Sequence, residues 1–165
     1  MQETSCPKQS YIALRKGTLS EKIFPVLGGD SRTAISKTLL DYITICLPSP
    51  IDVPPVKGIE PKTKAEILRK PEETEPFSAL VFKIVNDSHV GNLSYLRIYS
   101  GKVNSGSYVL NSTKNIKERV SRLILMHADE REEVESLRVG DIGAVVGLKD
   151  SITGDTLCDE KSPII

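Results

Sequence analysis

The sequence predicts a mainly β protein, a small closed β-barrel over residues 77–163 that follows an N-terminal α/β segment. Three observations predict it. Short apolar runs alternate at period two after residue 77, separated by Gly and Asn turn residues. Seven of the ten prolines fall within residues 48–76. Before them, one apolar series recurs at helical spacing. Trp is absent and there are only three Phe, so the expected core is aliphatic.

Residues 1–47 read as mixed α/β, a strand and a helix that look like the last unit of something larger. Ile23, Phe24, Val26 and Leu27 make a short apolar run within Lys22 to Leu27, which predicts a strand ending at Gly28-Gly29. Ile35, Leu39, Tyr42 or Ile43, and Cys46 share one helical face, with Ser31 or Thr33 as cap and Pro48 as stop. One strand and one helix cannot enclose a core. Residues 48–76 are a stiff connector in which proline disfavours regular structure, with a helical turn or two at most over Lys62 to Lys70.

In the β region, Leu80, Phe82 and Ile84 alternate with Ala79, Val81 and Lys83, which predicts a strand with an apolar face. Leu96 and Ile98 alternate with Arg97 and Tyr99 in the same way. Ser100-Gly101 and Asn104-Ser105-Gly106 are turns, and Val103 with Tyr108 to Leu110 form a hairpin-like unit between and after them. Arg119 to Met126 is the next strand, and Asp129 to Leu137 a short turn. Ile142, Ala144, Val146 and Leu148 alternate with Gly143, Val145 and Gly147, whose glycines signal close backbone approach or a bend. Evenly spaced short strands punctuated by glycine argue for closure into a barrel.

Composition excludes several classes. Lys plus Arg equals Asp plus Glu at 22 each, so an RNA-binding surface has to be a local patch. No run approaches the ~18 apolar residues of a membrane span, so no membrane partner is expected. Cys6, Cys46 and Cys158 match neither a disulfide framework nor a zinc spacing, which fits a reducing, cytoplasmic compartment and no metal.

Four segments carry a family resemblance. Arg15-Lys16-Gly17-Thr18, then Leu47-Pro48-Ser49-Pro50 and Asp52-Val53-Pro54, resemble the GTPase-domain exit of elongation factor G. Arg97-Ile98-Tyr99-Ser100-Gly101 and Ser105-Gly106-Ser107-Tyr108-Val109 resemble its second domain. The most distinctive block is Lys117-Glu118-Arg119-Val120-Ser121-Arg122-Leu123, continued by Met126-His127-Ala128 and Arg131-Glu132-Glu133-Val134. Gly140-Asp141-Ile142, Ala144 to Lys149 and Thr153-Gly154-Asp155-Thr156-Leu157 complete it. The resemblance implies a remnant of the GTPase domain over 1–47, a linker over 48–76 and a domain II barrel of the translation-factor type over 77–163. It implies docking on the ribosome, with contact to small-subunit rRNA and to the remaining domains of a parent factor that moves tRNA and mRNA in protein synthesis. Ribosomal-protection and release-factor GTPases share the barrel and are the alternative.

The parent would use GTP and magnesium, but this chain lacks the Gly-rich loop with Lys-Ser/Thr, the magnesium-holding Asp and the base-reading Asn-Lys-x-Asp. Gly29-Asp30-Ser31 stands where the family has a guanine-reading Gly-Ser-Ala, and departs from it. No cofactor and no catalysis are therefore expected of this chain by itself.

Lys114, Lys117, Arg119 and Arg122 form the sharpest basic cluster, interrupted by Glu118. On a barrel surface they can neutralise RNA phosphates; equally, they can be a solvated strand edge that discourages aggregation. Asp87, His89, Gly91 and Asn92 lie in the polar loop between the first two barrel strands. Adjacent loop residues rarely attain the geometry of a catalytic triad, so a turn is favoured over a stand-alone enzyme. The resemblance places this loop toward small-subunit rRNA, where the amides near Gly91 can approach phosphate. The same resemblance makes Arg131, Glu132 and Glu133 an interdomain contact within an acidic run that begins at Asp129.

Overall fold

A computed structural model describes residues 8–30, 32–87, 90–128 and 130–165, and the chain divides into two units, Met1–Val53 and Pro54–Ile165.

The first unit contains two helices, α1 (Lys8–Leu19) and α2 (Ile35–Cys46). The predicted α2 forms where its apolar spacing places it. It stops at Leu47, which is extended (ψ 142°) as a residue before proline must be. Ala34 holds the cap position without a side-chain hydrogen bond of its own; the Thr33 hydroxyl accepts weakly from the Ile35 amide at 3.5 Å and donates to the Asp30 carbonyl at 2.6 Å. Ser31 lies outside the described residues. Tyr11 and Tyr42 meet edge to face with centroids 6.1 Å apart. Arg15 ties the pair down, donating to the Ile45 carbonyl at 2.7 Å and to Asp52 at 2.5 Å.

The strand expected over Lys22 to Leu27 does not form. Ile23 instead folds back on α1, where any side chain at Gly17 would collide with it. Phe24 and Val26 stay exposed. A strand needs a hydrogen-bonding neighbour, and none is offered to this segment among the described residues. The helix α1 itself was not legible from the polar start of the sequence.

In the second unit the connector holds a hairpin, where a helical turn or irregular chain was expected. Strands β1 (Val56–Ile59) and β2 (Glu66–Arg69) pair antiparallel. Pro54, Pro55, Pro61 and Pro71 flank the strands and never interrupt them. The C-terminal segment joins this hairpin, because Ile59 and Ile165 exchange both backbone hydrogen bonds, at 2.7 and 2.9 Å. The buried Arg69 guanidinium fastens the same segment through the Ser162 carbonyl (3.0 Å) and hydroxyl (2.7 Å).

The remaining strands are β3 (Ser78–Asp87), β4 (Gly91–Ser100), β5 (Lys102–Asn104), β6 (Tyr108–Asn111), β7 (Ile116–Arg119), β8 (Arg122–His127), β9 (Glu130–Val134), β10 (Ser136–Arg138), β11 (Ile142–Val146) and β12 (Thr156–Cys158). Eight of them pair in the order β7-β6-β12-β3-β4-β11-β8-β9, and β5 pairs with β10, all antiparallel. The protein is thus mainly antiparallel β.

Three expectations are corrected. β5 and β6 do not pair with one another as a hairpin; each pairs elsewhere. The acidic run is the strand β9, not a turn, because β8 offers it a full ladder from Leu123↔Val134 to His127↔Glu130. Asp129 lies outside the described residues. In β3 the inward face is Ala79 and Val81, followed by Ile84, while Phe82 points out. A bulge between Val81 and Lys83 leaves Phe82 without a ladder partner and flips the phase of the strand.

The main core is aliphatic apart from Phe77, and includes Val81, Leu96, Ile98, Leu123, Leu137 and Leu157. Leu93, Ile124 and Ala144 form a smaller cluster from the alternate positions of β4, β8 and β11. Glycine is required where backbones crowd. A Cβ on Gly143 would stand 2.5 Å from Leu137 Cδ1, and one on Gly147 (φ +108°) 2.2 Å from Ser121 Oγ.

Between β7 and β8 the chain does not turn back. Val120 and Ser121 link the two strands, with Val120 accepting from the Gly106 amide (2.8 Å) and donating to Ser107 (2.9 Å), and Ser121 donating to Val146 at 2.9 Å.

Candidate nucleic-acid interface

Each predicted basic residue reaches the surface, but they face different partners. Lys117 and Arg119 occupy outward positions of β7, with Glu118 between them turned inward. The Lys117 ammonium lies 2.6 Å from Glu160, and Lys114 lies 3.3 Å from Asp155. Arg122, at the start of β8, stands 3.9 Å from Glu133. Arg119 has no ion-pair partner among the described residues. The Lys117 and Arg122 pairs are exposed and stabilise by only about 0–1 kcal/mol each, so those two cations are free to exchange partners; the Asp155 end of the Lys114 pair is buried.

Asp87, Gly91 and Asn92, expected in a loop, are strand residues instead: the β3–β4 ladder runs on to Asp87↔Gly91. Asp87 and the acidic block, expected to serve separate purposes, meet one another. Asp87 accepts from Arg131 Nη1 at 3.2 Å and Nη2 at 2.5 Å, and from the Val90 amide at 3.2 Å. Glu132 stands 3.3 Å from His127 Nε2. Gly91 has φ +77° with open space where a Cβ would lie, and Asn92 is exposed opposite Asn86. His89 lies outside the described residues.

Sequence reasoning missed the buried polar cluster behind the basic strand. Glu118 is only 5 % exposed. Its carboxylate accepts from the amides of Lys149 (2.7 Å) and Asp150 (3.0 Å) and from the Ser151 hydroxyl. Asn111 donates to Ser151 Oγ at 3.2 Å and to Asp155 at 2.8 Å, and Asp155 also accepts from the Ile152 amide at 2.9 Å. Burial pushes both carboxyls up. The hydrogen bonds of Ser151, Asp150, Lys149 and Asn111 outweigh burial at Glu118; those of Asn111, Ile152 and Lys114 do so at Asp155, so both end below their ordinary values. The only sequence signal was parity, since Glu118 alternates with two outward cations. The cluster pins the loop between β11 and β12. Cys158 is buried beside Ser112 and Arg69, and burial pushes its thiol up, away from reactivity.

Among the described residues, no group of three or more His, Cys, Asp or Glu stands together as a metal site, and no helix is long and apolar enough to cross a membrane.

Residues 76–160 match the family model described as elongation factor G domain 2. The crystal structure of a protein from Thermus thermophilus is similar to this chain with a TM-score of 0.65 and 20 % identity, over 98 % of this chain and 22 % of that one. At that identity the likeness is one of fold, and this chain spans about a fifth of the length of that protein.

Proposed function

This chain belongs to the elongation factor G domain 2 family, and on that premise we propose that its β unit docks a translation factor on the small ribosomal subunit through surface contacts with rRNA. The observation that carries the reading is the family match over the β strands, whose apolar side chains fill a core while Lys117, Arg119 and Arg122 point outward. Cations held only in exposed pairs can be transferred to RNA phosphates, with release of counterions.

Closure into a barrel belongs to the same proposal. In support, β7 and β8 are two halves of one continuous segment, one half pairing with β6 and the other with β11. The ladder from β6 through β12, β3, β4 and β11 then returns to its start through covalent backbone. Residues 1–47 are proposed as the closing part of a GTPase domain, in a cytoplasmic parent that moves tRNA and mRNA with GTP and magnesium.

Two features among the described residues argue against a nucleotide site at the turn after Leu27. This turn packs Gly29 against Ile35, and the Asp30 carboxylate is taken by Arg32, amide and guanidinium, at 2.9–3.3 Å. We therefore assign no hydrolysis and no cofactor to this chain. The test is co-sedimentation with small ribosomal subunits at two salt concentrations. Binding at low salt that weakens steeply at high salt is expected; absence of binding at low salt, or protein-dependent GTP turnover, refutes the reading.

A further inference from the structure

We propose that the outer face of β6 and β7 around Tyr108 is a stacking subsite for a single-stranded RNA base, an inference that rests on the rRNA-docking reading and names the contact it uses. Tyr108 is 61 % exposed at an outward strand position, where its ring gains little from the core. Its register partner across the ladder is Arg119, also outward. The Lys117 ammonium stands 5.5 Å from the ring centroid. One ammonium at that distance leaves most of the ring open to a planar group.

Beside the ring runs a groove of about 290 Å³, lined by Lys102, Asn104, Ser107 and Lys161 among others. Its two acidic members each have a partner, although Asp159 keeps its charge. Glu160 takes Lys117 at 2.6 Å, and Asp159 accepts the Lys161 amide at 2.8 Å. The ammonium groups of Lys102 and Lys161 and the Arg119 guanidinium have no ion-pair partner among the described residues. An open aromatic face, three uncommitted cations and a groove the size of one nucleotide unit fit a base stacked on Tyr108 with its flanking phosphates on Lys102 and Lys161. An acidic peptide would satisfy the cations and leave the ring unused. Every base, by contrast, has a π face to lay on it.

The test titrates a fluorescein-labelled single-stranded oligoribonucleotide with the whole chain, alongside co-sedimentation with small subunits. Tyr108→Ala is expected to weaken oligonucleotide binding between about five- and 150-fold, the range of losses when a stacking aromatic is removed. Tyr108→Phe, which keeps the ring, is expected within about twofold of the parent chain. Lys102→Ser is expected to flatten the dependence of log K on log salt by about 0.7, one phosphate contact on a single strand. Unchanged thermal melts show that each variant is folded, as exposure of these side chains leads one to expect. Equal affinity of Tyr108→Ala and the parent chain, or no oligonucleotide binding at low salt, overturns the inference. So does polyglutamate binding with the same dependence on Tyr108. If the chain sediments with small subunits while Tyr108→Ala leaves the titration unchanged, the stacking subsite alone falls. Tyr108-dependent titration without sedimentation upholds the subsite and refutes ribosome docking.

Discussion

Replacing Glu118 tests whether the inward carboxylate holds the β11–β12 loop. Glu118→Ala removes the acceptor of two backbone amides, at 2.7 and 3.0 Å, and of the Ser151 hydroxyl. A hydrogen bond to a charged group contributes about 1.5–3 kcal/mol net. The loop edge is partly exposed, so water recovers a share, and the expected loss is about 3–4 kcal/mol. For a domain of this size that lowers the melting temperature by roughly 10–20 °C. Glu118→Gln behaves differently. Both amides bind the same oxygen, so a glutamine carbonyl placed there keeps them, and its NH₂ can donate to Ser151. Only the charge is lost, and about 1–2 kcal/mol is expected. Urea denaturation followed by circular dichroism reads both numbers, and hydrogen exchange at residues 149–151 reads the loop. An alanine variant within about 0.5 kcal/mol of the parent, the span of an ordinary surface substitution, refutes the role given to Glu118. A glutamine variant as damaged as alanine refutes the hydrogen-bond assignment.

The same cluster sets an acid limit. Glu118 and Asp155 titrate lower in the folded chain than in the unfolded one, so their stabilisation is complete above the unfolded values, near pH 4, and is lost as pH falls toward the folded ones. Urea midpoints measured from pH 6 down to 3 are expected to fall below about pH 4, and to fall less steeply in Glu118→Gln; parallel profiles would count against it. Gly147→Ala places a Cβ 2.2 Å from Ser121 Oγ at φ +108°, and is expected to cost at least about 2–3 kcal/mol in urea melts. Adding Ser121→Gly should recover only part of that loss, because the backbone strain remains, and full recovery would show the clash to be the whole effect. Hydrogen exchange is expected to be faster over residues 8–53 than over 77–160, since Phe24, Val26 and Leu40 of the first unit are exposed; uniform protection would contradict this.

Legibility in the sequence followed the range of the interactions responsible. The helix α2 was readable because its spacing and Pro48 are local signals. So was β4, whose Leu96 and Ile98 keep strict alternation. The phase of β3 was not, because the Phe82 bulge arises from pairing with β4. Lys22 to Leu27 has the composition of a strand and no neighbour to pair with. The glutamates of β9 favour helix or turn by composition, and the β8 ladder overrides that preference. At the site, the outward placement of Lys117 and Arg119 was legible from β periodicity. The partners Glu160, Asp155 and Glu133 were not, since they come from distant parts of the chain. Glu118 was hidden by its neighbours, which made it read as one more surface charge.

Because residues 116–127 run unbroken through the Val120–Ser121 link, one stretch of backbone belongs to two ladders at once. Fraying of either ladder therefore pulls on the other. The outward cations of this stretch therefore sit on backbone hydrogen-bonded at both ends. The side chains themselves stay rotamer-rich, so only the spacing of their Cα atoms is fixed in advance.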